Sequence, residues 1–164
     1  MSGYLIRPAG EADVALLTEW RGHPHVARWW GEPTDEPPEE TVHDPHVAAW
    51  VVELGGQPFA FIQDYAVHDG SPHPFDHLPQ GARGMDVYIG EPGFVGLGHG
   101  PRFIRQHVDR MFRQGAPAVG IDPHPDNLAA QAAFRKAGFE LGTGPVDTPW
   151  GPVVLMVCWP PPKA

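Results

Sequence analysis

The chain has a single cysteine, Cys158, so no internal disulfide framework holds it together. It has no apolar run of about 18 residues, which excludes a transmembrane helix and, with it, a membrane partner. Basic residues are scarce: 11 Lys and Arg stand against 20 Asp and Glu, a formal charge of −9. A nucleic-acid partner calls for a basic face, so that class is excluded. The same negative field suits a cationic small molecule. "MSGYLIRPAG" lacks a basic stretch followed by a long apolar core, and a cytoplasmic location is expected. Only 19 % of residues are charged while 41 % are hydrophobic, a globular balance rather than a disordered one. Its length predicts a single domain over residues 1–164.

The pattern along the chain is mixed. Strands are predicted at 4–8, 46–54, 57–67, 83–91, 117–122 and in the last 25 residues, as "FELGTGPV" and "VVLMVCW". A helix carries Val14, Leu17 and Trp20 on one face, and "HPHVARWWG" reads as a second, short one. "RFIRQHVDRMFRQG" is amphipathic and ends at Gly115; "DNLAAQAAFRKAG" is expected to run from an Asp126 cap to Gly138. Two long polar segments, 32–45 and 68–81, interrupt the order, and such loops often belong to a binding site. The expected fold class is α/β, a mixed central β-sheet flanked by helices.

Between the strand at 83–91 and the amphipathic helix lies "GFVGLGHGPRF". A Walker A loop needs Lys then Ser or Thr where His99 and Gly100 stand, so that reading fails. A dinucleotide fingerprint needs a third glycine where Pro101 stands. Two readings stay open. Alternating glycines turn successive N–H groups toward one anion at a helix start, or they form a plain turn that caps the helix.

The neighbours of this loop carry a resemblance. "GMDVYIGE", the glycine loop with its helix, "GIDP" and "DNLAAQAAFRKAGF" follow one another as in the GNAT N-acetyltransferases. In that family a loop written [QR]xxGx[GA] binds the pyrophosphate of acetyl-CoA; Phe94 is read here at its Gln/Arg position. "IRPAGEADVALLTEW", "WWG", "QDY", "RGMD", "IDPHPDN" and "KAGFE" are similar to the aminoglycoside 6'-N-acetyltransferases over residues 5 to about 157.

The resemblance implies a single GNAT domain, monomeric or homodimeric, that uses acetyl-CoA as co-substrate. It implies cofactor contacts from Tyr88, Ile89, Val95, Gly96, Gly98, His99, Gly100, Pro101, Asn127 and Phe134. Many members carry Tyr where Phe134 stands, and Phe has no proton to give to a departing thiolate. Tyr88, water or unaided departure are the alternatives.

Acyl transfer to an amine must bind a cation and then remove its proton, and carboxylates do both. Asp86 matches the family acid and is assigned substrate binding and base action; Asp122, at the end of the next strand, is a second ammonium ligand. Gln63 and Tyr65 share one side of a strand and suit a polyhydroxylated sugar. Trp29 and Trp30 suit an aromatic wall, with core packing as the alternative, and Asp69 suits a remote ammonium. The ten histidines match no metal spacing, so no metal is expected. Cys158 sits in an apolar strand, which favours direct transfer in a ternary complex over an acyl-enzyme. The rival readings are a GNAT enzyme for another amine, such as a hydroxylamine siderophore precursor, and a catalytically silent acyl-CoA-binding domain.

Overall fold

The computed structural model describes residues 3–70 and 72–162; Met1, Ser2, Ser71, Lys163 and Ala164 of the expected 1–164 span lie outside the described residues. Its elements run β1 (Tyr4–Pro8), α1 (Val14–Gly22), α2 (Pro24–Trp30), α3 (Pro38–His43), β2 (Val47–Leu54), β3 (Gln57–Ala66), β4 (Arg83–Ile89), α4 (His99–Arg113), β5 (Val119–Ile121), α5 (Leu128–Lys136), β6 (Glu140–Leu141), β7 (Val146–Thr148), β8 (Gly151–Val153) and β9 (Met156–Cys158). Seven strands form one mixed sheet in the order β1-β2-β3-β4-β5-β9-β6, and β7 and β8 form a separate hairpin. β4 and β5 are parallel, whereas β1–β2, β5–β9 and β6–β9 are antiparallel. No helix among the described residues is long and apolar enough to cross a membrane.

The contacts gather into two compact units. The first holds the chain up to Asp64 together with Asp86–His99. Its core is Leu17, Trp20, Val26, Val51, Phe61 and Tyr88. The helical spacing of Leu17 and Trp20 places both inward, at 1 % and 0 % exposure. The Trp20 indole lies flat against Gly90, so close that a Cβ there would stand 2.1 Å from Trp20 Cδ2. Its Nε1 donates to Glu91 Oε2 at 2.7 Å. Arg7 on β1 donates to both Asp13 and Glu53, which ties the first helical turns to the sheet. Those bonds hold the Asp13 carboxyl below its ordinary range.

The second unit holds Tyr65–Met85 and the chain from Gly100 onward. Val67, Phe75, Leu78, Ala82, Ala118, Val153 and Leu155 form one core cluster, with the Phe75 ring against Gly120. Phe103, Ile104, Val108 and Met111 of α4 are buried, at roughly 1.5–3 kcal/mol each. Both predicted glycine stops hold. Gly115 N–H bonds Phe112 O and Ala116 N–H bonds Met111 O; at the end of α5, Gly138 N–H bonds Arg135 O and Phe139 N–H bonds Phe134 O.

Two local expectations are corrected, the α5 cap and the C-terminal strands. Asn127, not Asp126, caps α5, since its Oδ1 accepts from Ala130 N–H at 3.2 Å. The segment 32–45, expected as a proline-rich loop with room for one helical turn, holds the six-residue α3, because Pro37 and Pro38 occupy the cap and first turn, where a missing N–H is harmless. The last 25 residues form four short strands rather than two, because Gly142 and Pro145 break the first run and the second is interrupted at Val154 and Leu155, whose backbone groups bond Pro123 and Gly142.

Candidate active site

Two adjacent strands carry the candidate side chains of the first unit. Alternation along β3 sends Phe61 and Gln63 to one face, and along β4 it sends Tyr88 and Asp86 to meet them. Phe61 stacks on Tyr88 at 5.3 Å between centroids. Gln63 Nε2 donates to Asp86 Oδ2 at 2.9 Å. Trp30 stands edge-on to Tyr88 at 5.0 Å. Trp30, Phe61, Gln63 and Tyr88 floor a cavity of about 280 Å³, with Leu17, Arg21, Pro38, Thr41 and Val47 also on its wall; Asp86 adjoins it through its bond to Gln63. Glu36, Glu40 and Asp44 complete the lining. An apolar, aromatic floor beneath three carboxylates suits a ligand that is both carbohydrate-like and cationic.

The two tryptophans divide. Trp30 lines the cavity, whereas Trp29 carries the Arg28 guanidinium over its ring at 4.6 Å. Burial pushes the Tyr88 phenol well above its usual pKa, which weakens it as an acid. The Ile89 carbonyl, expected at the cofactor, accepts a hydrogen bond from His25 Nε2 at 2.8 Å.

The glycine loop follows β4. Gly96 and Gly98 hold φ of +76° and +83°, backbone that favours glycine. A Cβ at Gly96 would meet nothing within 4 Å, so open space adjoins that backbone. α4 starts at His99, earlier than the predicted Arg102, and its first turn has no acidic residue. Pro101 lies in that turn, where N–H groups have no intrahelical partner. The donor set fits a pyrophosphate. The residue read at the family's Gln/Arg position offers no polar side chain to an anion. Phe94 instead stacks on Phe59 at 4.6 Å. The His99 ring is turned to the same cluster, with Tyr4 Oη 2.8 Å from its Nδ1. Val95 is exposed on the loop.

The second unit holds the other expected residues. The Tyr65 ring covers Gly84, where a Cβ would stand 2.6 Å from Tyr65 Cζ. Its Oη lies 3.2 Å from His73 Nε2. His73 Nδ1 accepts from Phe75 N–H, so the neutral ring carries its proton on Nε2. Burial lowers the His73 pKa. Asp69 is exposed at the end of a short 3-10 turn, and Asp122 is half-buried directly after β5. The side-chain oxygen of Asn127 serves its cap, which leaves its amide hydrogens for other partners. Phe134 is buried beside Phe139, and Gly100 backs onto Ala133 of α5. Cys158 is 1 % exposed, accepts from Arg105 Nη1 at 3.3 Å, and burial raises its pKa.

Several residues of this arrangement escape sequence reasoning. Glu36, Glu40 and Asp44 line the cavity, hinted at only by the acidic composition of 32–45, and Arg21 lines it with no signal in the sequence. Glu36 adopts φ +53°, a strained backbone for a residue with a side chain, costing on the order of 1–2 kcal/mol. Asp64 is buried and accepts from Trp50 Nε1 at 2.8 Å. Among the described residues Glu11, Glu39 and His43 bring three ligand-type atoms within 4.8 Å. All three are exposed, and the 2.6 Å hydrogen bond between His43 Nε2 and Glu11 Oε2 accounts for the cluster.

The acetyltransferase (GNAT) domain family matches residues 9–144. The aminoglycoside N(6')-acetyltransferase type 1 of Klebsiella pneumoniae is 31 % identical over 163 residues, covering 93 % of this chain and 81 % of the relative. Aminoglycoside acetyltransferase AAC(6')-Ib, solved with coenzyme A and kanamycin, is 30 % identical with a TM-score of 0.85, over 95 % of this chain and 94 % of that one. The same enzyme solved with ribostamycin and coenzyme A gives a TM-score of 0.86 at 29 % identity, over 96 % of this chain and 94 % of that one.

Proposed function

Because the chain belongs to the acetyltransferase (GNAT) family, we propose that it acetylates the 6'-amino group of aminoglycosides with acetyl-CoA as donor. The observation that carries this reading is the Gln63–Asp86 pair beside an aromatic cavity lined by Glu36, Glu40 and Asp44. The relatives' names and bound ligands point to the same chemistry.

Acetyl-CoA, when bound, supplies a thioester acyl group. Gly96, Gly98 and the first turn of α4 would hold its pyrophosphate by main-chain N–H groups and the helix dipole. The acceptor enters as an ammonium ion, given a pKa of about 10.4 for a Lys-type amine. Asp86 pairs with that cation and takes its proton, directly or through water, while Gln63 orients the carboxylate. Trp30, Phe61 and Tyr88 receive the apolar faces of the sugar rings. The leaving thiolate takes its proton from solvent, since Phe134 has none and burial weakens Tyr88. Transfer is direct, because the chain's single thiol is buried. One domain over 1–164, working in the cytoplasm where its donor is made, belongs to this reading.

The test measures thiol release from acetyl-CoA with kanamycin, spermidine or N-hydroxylysine as acceptor. Release is expected with kanamycin, and Asp86→Asn is expected to lower kcat/KM by about 100-fold, the scale of a lost general base. Turnover only with another amine favours the rival enzyme reading; coenzyme binding without any turnover favours a silent domain.

A further inference from the structure

Arg21 is 3 % exposed, on a helix face that otherwise buries Leu17 and Trp20. A cation at that depth needs partners. It finds them in main-chain oxygens of a single segment. Nη1 donates to Glu36 O at 3.0 Å, while Nη2 donates to Asp35 O at 2.6 Å, Glu32 O at 2.9 Å and Trp30 O at 3.3 Å. The guanidinium also lies 5.5 Å from the centre of the Trp30 ring. The segment it grips connects α2 to α3 and has no helix or strand of its own.

That segment shapes the cavity mouth. Glu36 ends it in a left-handed conformation, which persists only where surroundings impose it. Arg21 bonds the carbonyl of that same residue. Pro37 and Pro38 follow at once and start α3, which carries Glu40 and Thr41 and leads to Asp44. None of the four bonds of Arg21 goes to a carboxylate. Its two Nη atoms are satisfied by carbonyl dipoles while Nε has no partner, and the Glu36 and Glu40 carboxylates of the lining stay available to a cationic ligand.

We propose that Arg21 is a positioning residue for acceptor specificity: it fixes the 30–36 segment so that Glu36, followed by α3, presents carboxylates to the remote ammonium groups of a polyamine acceptor. The proposal rests on the cavity being the acceptor site. Lysine cannot substitute, because its three donors radiate from one atom, whereas the guanidinium fork reaches four oxygens on one loop.

The test compares kanamycin, which has several amines, with 6-amino-6-deoxyglucose, which has only the reacting one. Arg21→Lys is expected to raise KM for kanamycin about tenfold, with kcat and the KM for acetyl-CoA within threefold of wild type. Its kcat/KM for the monoamine is expected to change less than threefold. Glu36→Gln is expected to raise the kanamycin KM as well, and the double variant to be no worse than Arg21→Lys alone. Equal losses for both acceptors, or additive effects in the double variant, overturn the proposal. Should Arg21→Lys fail to fold, Glu36→Gln carries the test, because every Arg21 bond goes to main-chain oxygen and survives that change. An unaltered kanamycin KM in Glu36→Gln then overturns the proposal. Calorimetric kanamycin affinities of the same proteins decide it independently of turnover: a wild type that binds without acetylating sinks the enzymatic reading alone, and one that neither binds nor acetylates sinks both.

Discussion

Gln63 and Asp86 meet across two neighbouring strands at 2.9 Å, amide to carboxylate, on the face that also carries Phe61 and Tyr88. A hydrogen bond to a charged group contributes about 1.5–3 kcal/mol. Gln63→Leu is therefore expected to lower kcat/KM by about 10- to 100-fold while the melting temperature stays near that of wild type. Steady-state rates with kanamycin check it; an unchanged kcat/KM would remove Gln63 from the site.

Gly90 is expected to tolerate no side chain. Its would-be Cβ falls 2.1 Å from the Trp20 ring, which is fully buried and fixed by Glu91. Gly90→Ala forces the indole to move, at about 3 kcal/mol, the upper range for overpacking. Urea unfolding followed by tryptophan fluorescence reads the loss, and a midpoint equal to wild type contradicts the packing described.

Gly96 calls for the opposite kind of argument. No atom stands in the way of a Cβ there, but φ is +76°. Gly96→Ala carries about 1–2 kcal/mol of backbone strain. The expected result is a raised KM for acetyl-CoA with the kanamycin KM unchanged. A shift confined to kanamycin would place the loop on the wrong substrate.

His73 gives a pH dependence. Burial favours its neutral form, so its folded-state pKa lies below the unfolded value of about 6.5. The unfolded chain binds the proton first. The stabilising contribution is present above about pH 6.5 and is lost as pH falls toward the folded-state pKa. Protonation would also set Nδ1–H against Phe75 N–H. Asp76 opposes the shift and His68 reinforces it. Unfolding free energies of wild type and His73→Gln, measured from pH 7.5 to 5, are expected to converge on the acid side; a constant difference contradicts this.

The elements with strong periodicity were legible in the sequence. Leu17 and Trp20, the α4 stripe and the glycine stops after α4 and α5 all stand where spacing and φ requirements put them. The face shared by Asp86 and Tyr88 was legible because a strand alternates strictly. What sequence could not show was partner choice. Asn127 and Asp126 are both good caps, and only the placed backbone selects Asn127. Arg21 reads as an ordinary surface position on an amphipathic helix; its burial depends on four carbonyls up to 15 residues further along. The stacking partner of Phe94, Phe59, lies on β3, and no spacing along the chain reveals that contact.

The seclusion of Cys158 has a practical side. Its thiol is 1 % exposed, raised in pKa, and held by Arg105. A thiol reagent acts on the thiolate, so the native protein adds almost no background, and colour develops only from the liberated coenzyme. A cysteine introduced at an exposed site, such as Leu97 on the glycine loop, becomes the one reactive handle for a fluorophore or spin label.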